Sequence, residues 1–128
     1  MSNTALIITD GTSSIENISR LISGELNGVK VKICSAKDFA GTDLLPADIF
    51  FIGCEFPSPS SFSYLEQMLK HINLASRKCG VFSVNFKTLK YLCNLVKDCE
   101  ADLGAPLHVA SKEINKTKLN KWINSVIN

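Results

Sequence analysis

The sequence predicts an α/β protein: a three-layer sandwich around a five-stranded parallel sheet of order 2-1-3-4-5. Three observations carry that expectation. Short apolar runs alternate along the chain with longer stretches whose apolar residues recur every three or four positions. The first, third and fourth runs lack a polar face, as strands covered on both sides by helices require. The second run alternates with lysines, which suits a strand nearer the sheet edge.

The first run is ALIIT, 5–9, which stops at turn residues. Ile15, Ile18, Ile22 and Leu26 then mark an amphipathic helix that Asn27-Gly28 ends. VKVKIC, 29–34, is the alternating strand. Between Asp38 and Leu45 the pattern supports a short helix at best, before Pro46. DIFFIGC, 48–54, is the most apolar run and the candidate central strand. After the loop EFPSPSS, Phe62, Leu65, Met68, Leu69 and Ile72 line a second clear helix. CGVFSVN, 79–85, reads as a buried strand, and Leu89, Leu92, Cys93 and Val96 as the helix after it. APLHVA, 105–110, is the expected last strand; Leu119, Trp122, Ile123, Val126 and Ile127 form the stripe of the last helix. Right-handed crossovers then place the most apolar strands inside.

Bulk properties narrow the function classes. A length of 128 residues fits a single domain, 1–128, able to bury a core without disulfides or a structural metal. A net charge of +2 is too mild to imply nucleic acid. Five scattered cysteines, without a C-x-x-C or a histidine at zinc spacing, read as free thiols in a reducing cytoplasm and leave no metal site. The N-terminus lacks the basic start and apolar length of a secretory signal, and no run reaches the roughly 18 residues of a membrane span. A cytoplasmic monomer is the expectation.

In a sheet of this order, ligands bind beyond the carboxyl ends of the strands, near the switch point between strands 1 and 3. Three loops meet there: Thr9 to Ser14, Cys54 to Ser60, and Asn85 to Lys87. The first leads into a helix N-terminus, where bare amides and the helix dipole favour an anion. Thr9, Thr12, Ser13 and Ser14 add hydroxyls, so a phosphate needs no lysine in the loop.

These residues resemble the flavodoxin-like family over nearly the whole chain, in its short-chain form. That family holds the phosphate of flavin mononucleotide (FMN) in a loop of pattern S/T-x-T-G-x-T after strand 1; the comparable stretch here is TDGTSSIE. Thr9 and Thr12 match the early hydroxyl positions, and Glu16 the acid that begins the helix. Ser13 stands where glycine is expected, Ser14 at the variable position, and Ile15 where the last threonine is expected. A side chain at the glycine position crowds a backbone that must wrap phosphate. The loop after strand 4 lacks the glycine and acid common in the family, and the insertion that splits strand 5 in long-chain members is absent. The resemblance implies an FMN-binding electron carrier without a substrate of its own, meeting a redox partner protein. Its cofactor site comprises Thr9, Asp10, Gly11, Thr12, Ser13, Ser14, Cys54, Glu55, Phe56, Pro57, Asn85 and Phe86, with Phe56 and Phe86 flanking the flavin ring. Flavodoxins are usually acidic, and the +2 charge departs from that.

Plainer readings stand beside each of these. Ser13 and Glu16 satisfy a capping box, which alone accounts for the hydroxyls. Asp10 would repel a phosphate unless it points away. Phe56 fits packing under its own loop, Phe86 a core position, and Cys54 a buried, inert thiol. His71 suits a solvated helix face, and His108 has no evident partner. Lys112, Lys116, Lys118 and Lys121 form a solvated face or a patch for an acidic partner. The alternative function is a flavin-free interaction or regulatory module on the same fold. A receiver-like phospho-acceptor built on Asp10, Ser83 and Lys112 lacks the acceptor aspartate, since strand 3 ends in Gly53-Cys54-Glu55.

Overall fold

Parallel strands bury both faces only if helices cover each side, and the apolar runs of this chain meet that demand. The computed structural model describes residues 3–110 and 114–128; Lys112 and the roles proposed for it lie outside the described residues. The elements are β1 (Asn3–Thr9), α1 (Ser13–Glu25), β2 (Val29–Ser35), β3 (Ile49–Gly53), α2 (Ser63–His71), β4 (Lys78–Ser83), α3 (Phe86–Lys97), β5 (Asp102–Leu103), β6 (Leu107–His108) and α4 (Lys116–Ile127). The weak helix expected between Asp38 and Leu45 is a single 3-10 turn, Gly41–Asp43.

The sheet runs β2-β1-β3-β4-β5, with β6 also pairing β4, and every pairing is parallel. This is the expected order. All five residues of β3 are buried, whereas the lysines of β2 face out from an edge strand. One core forms on the α2/α3 side of the sheet, around Phe50, Phe62, Leu65 and Leu92. The other forms on the α1/α4 side, around Ile18, Phe51, Phe82 and Trp122. Trp122 packs on Phe51 and edge-on to Phe82, with ring centroids 5.5 and 6.3 Å apart. Among the described residues, no helix is long and apolar enough to cross a membrane.

The last strand departs from expectation. Instead of one run over 105–110, β4 is met by two two-residue pieces, β5 and β6. Pro106 has no amide to give a ladder. The carbonyl of Ala105 turns away and accepts from Trp122 Nε1 at 2.6 Å. The chain therefore leaves the sheet between Leu103 and Leu107 and returns.

Strand register sets the site. Thr9 pairs with Gly53, Gly53 with Phe82, and Ser83 with His108, so β1, β3, β4 and β6 end side by side. A side chain at Gly53 would run into the Phe82 ring, which explains glycine at that strand end.

Candidate functional site

The carboxyl ends of β1, β3 and β4 release three loops, and polar side chains tie them together. The tie from the first loop is Asp10. Its Oδ1 accepts from the Thr12 amide at 3.1 Å and the Thr12 hydroxyl at 2.7 Å. Its Oδ2 accepts from the Glu55 amide at 2.8 Å, across the gap to the loop after β3. The tie from β4 is Ser83, whose hydroxyl donates to the Cys54 carbonyl at 2.7 Å. From α3, the Thr88 hydroxyl donates to the Glu55 carbonyl at 2.8 Å.

The hydroxyls of the first loop divide into two groups. Thr9 is fully buried; its hydroxyl donates to Glu16 Oε1 at 3.0 Å and accepts from the Gly11 amide at 3.2 Å. Together with Thr12, it is committed inside the loop. Gly11 turns the chain at φ +83°, a conformation open to glycine. Ser13 and Ser14 lie on the first turn of α1, and with Asn17 and Val84 they border a cleft of about 440 Å³. The Ser14 hydroxyl also reaches Glu55 Oε2, at 3.4 Å.

The capping box expected at Ser13 and Glu16 does not form. Thr12 is the N-cap and makes no side-chain capping bond, because its hydroxyl is held by Asp10. Glu16 falls one position too late in the helix and accepts from Thr9 instead. The first intrahelical bond is Glu16 amide to Thr12 carbonyl, 2.9 Å, so the amides of Ser13, Ser14 and Ile15 precede the ladder.

In the second loop, Cys54 is fully buried, and burial followed by the nearby Asp10 charge pushes its thiol up to about 12. It is an inert core thiol. Phe56 and Pro57 are exposed, Phe56 to 61%. Ser58 takes a left-handed backbone, φ +53°. In the third loop, Asn85 caps α3 by accepting from the Lys87 amide at 3.2 Å. Phe86 opens α3 and is 70% exposed, so it is not the core residue its position suggested. Its ring meets His108 edge-on, with centroids 5.5 Å apart. Phe56 likewise does not fold under its own loop.

Sequence reasoning missed the ties made by Ser83 and Thr88. Thr88 carries a legible signal, a hydroxyl residue next to Leu89 on the apolar face of α3, fully buried in the structure. Ser83 carries less, since a serine ending a strand has many uses.

A parallel sheet of order 2-1-3-4-5 with helices on both faces is decisive for the fold. The chain has a flavodoxin-like fold. Among solved structures it resembles a short-chain flavodoxin associated with a non-canonical PDU bacterial microcompartment, at 17% identity and TM-score 0.85, covering 99% of this chain and 97% of that one. The flavodoxin of Streptococcus pneumoniae aligns at 15% identity and TM-score 0.81, covering 98% of each chain. The Fusobacterium nucleatum flavodoxin bound to flavin mononucleotide aligns at 11% identity and TM-score 0.70, covering 99% of this chain and 98% of that one. No protein-family model matches the chain, and no curated protein matches it in sequence.

At these strand ends FMN, the ligand of that Fusobacterium nucleatum flavodoxin, would meet two different environments. On the ring side, Phe56 and Phe86 present uncovered aromatic surface on the loops after β3 and β4. On the phosphate side, a resident carboxylate, Asp10, takes the Thr12 and Glu55 donors. Only the first-turn amides and hydroxyls of α1 are left for a phosphate.

Proposed function

We propose that this protein binds a flavin, FMN in the first instance, at the crevice beyond β1, β3 and β4, and exchanges electrons with a partner protein. The exposure of Phe56 and Phe86 carries the reading. Two large rings left open on neighbouring loops have no part in either core, and an aromatic ligand gives them one. The bound flavin would supply the redox chemistry. Phe56 and Phe86 would flank its ring and shield it from water. Ser13 and Ser14, with the first-turn amides, would meet its polar tail. Glu55 would oppose build-up of negative charge nearby, by the Coulomb argument. The FMN-bound Fusobacterium nucleatum flavodoxin supports the choice of ligand through fold alone.

The experiment is a titration of purified protein with FMN, followed by flavin fluorescence and the visible spectrum. Quenching and a shifted absorption band are expected. Unchanged spectra at high micromolar protein would remove the flavin reading.

One observation favours a second reading, a flavin-free interaction module. The Asp10 carboxylate itself closes the first loop onto the second. The +2 net charge and the exposed Lys116, Lys118 and Lys121 on α4 suit an acidic protein partner. Colourless protein, together with partner binding that weakens when these lysines are replaced, would favour it.

A further inference from the structure

We propose that Asp10 is an internal stand-in for a ligand phosphate, so that the crevice recognises flavin by its ring and gains nothing from the phosphate ester. The inference rests on the flavin reading for its ligand, but the Asp10 geometry stands apart from it.

Three donors converge on one carboxylate: the Thr12 amide, the Thr12 hydroxyl and the Glu55 amide, at 3.1, 2.7 and 2.8 Å. They come from two loops, so this carboxylate bridges the gap that a ligand tail would cross. A phosphate monoester is an anion that seeks the same donors. It cannot share them with Asp10, and it meets like charge if it comes close. Two further carboxylates deepen the effect. Glu55 lies 3.4 Å from the Ser14 hydroxyl, and Glu16 accepts the Thr9 hydroxyl at 3.0 Å. Thus the hydroxyls of Thr9, Thr12 and Ser14 are turned to acids of this chain. The rings of Phe56 and Phe86 take no part in these bonds and stay available. The site is therefore indifferent to the phosphate arm.

The test compares riboflavin and FMN binding to the wild-type chain and to Asp10→Ser, which removes the charge and opens the slot. Asp10→Asn, close in shape, is the second variant in case Asp10→Ser fails to fold, and circular dichroism checks both. The wild type should bind the two flavins within roughly threefold of each other, because the phosphate adds no net attraction. In the variant, FMN should tighten by roughly tenfold or more while riboflavin changes by less than about threefold. Thermal shift with inorganic phosphate provides a flavin-free readout. The variant should gain stabilisation that the wild type lacks.

Much tighter FMN than riboflavin binding by the wild type would overturn the proposal. So would a folded variant with an unchanged FMN-to-riboflavin ratio and no phosphate response. If neither flavin binds either protein but the variant gains the phosphate response, the flavin reading fails and the Asp10 assignment stands.

Discussion

The Thr88 hydroxyl donates to the Glu55 main-chain carbonyl at 2.8 Å, and the Thr88 side chain is wholly shielded from solvent. This bond joins the first turn of α3 to the loop after β3. Beside it, Ser83 satisfies the Cys54 carbonyl at 2.7 Å. Past the end of β3 the sheet no longer offers ladder partners, and a buried carbonyl without one is costly. Two side chains from the β4–α3 segment supply the missing donors. The loop carrying Phe56 is therefore anchored at its root while its tip stands in solvent.

Thr88→Val keeps the shape of the side chain and removes the hydroxyl. The Glu55 carbonyl then loses its buried donor, which should lower stability by about 1–3 kcal/mol. Chemical denaturation measures this loss. Amide exchange should rise first at residues 54–58, because the root of that loop is released. A loss confined to the C-terminal helix would contradict the anchoring role.

Trp122 works in the same way at the β5/β6 edge of the sheet. Its Nε1 donates to the Ala105 carbonyl in the break between β5 and β6, and its ring covers Phe51 and Phe82. Trp122→Phe keeps an aromatic ring but drops the donor and part of the volume. A destabilisation of about 2–4 kcal/mol is expected from the lost bond and the cavity together. Equilibrium unfolding followed by circular dichroism reads it.

The fold was largely legible because its signals are local and repeated. The apolar runs of β1, β3 and β4, and the stripes that became α1, α3 and α4, required only period and burial. The split of the last strand was less accessible. Pro106 sits in the stretch, but the partner for the Ala105 carbonyl is Trp122, seventeen residues on. The loops of the site were found by topology, yet the state of their side chains was not. Whether Asp10 points away depends on the Glu55 amide, 45 residues distant. The exposure of Phe86 depends on Asn85 capping α3, which starts the helix with that ring outside the core.

Cys54 gives a pH prediction with a definite sign. Burial raises its thiol from the ordinary 9.0 to about 12 in the folded chain. The unfolded state therefore releases this proton first as pH rises. The favourable contribution is complete below pH 9 and declines between pH 9 and 12, at up to about 1.4 kcal/mol per pH unit. Cys54→Ala should lower stability at pH 7 through a small cavity, yet show a shallower decline above pH 9 than the wild type. Denaturant midpoints across that range measure the difference. Parallel curves for the two proteins would mean that the Cys54 thiol is not held neutral by burial.

Phe56 and Phe86 separate stability from ligand binding. Both rings are mostly in solvent, at 61% and 70% exposure, so truncation removes little core packing. Phe56→Ala should leave the unfolding midpoint nearly unchanged, within about 0.5 kcal/mol. Phe86→Ala loses the edge contact with His108 as well, worth about 0.5–1.5 kcal/mol. If the rings flank a flavin, each truncation should weaken flavin binding by roughly threefold to tenfold, the range of one aromatic contact. The double variant should weaken it further, since the two loops approach the ligand from different strands. Flavin fluorescence titration on folded variants is the measurement. Equal affinity in wild type and double variant would show that the ligand does not touch these rings, and their exposure would then belong to a protein partner's surface.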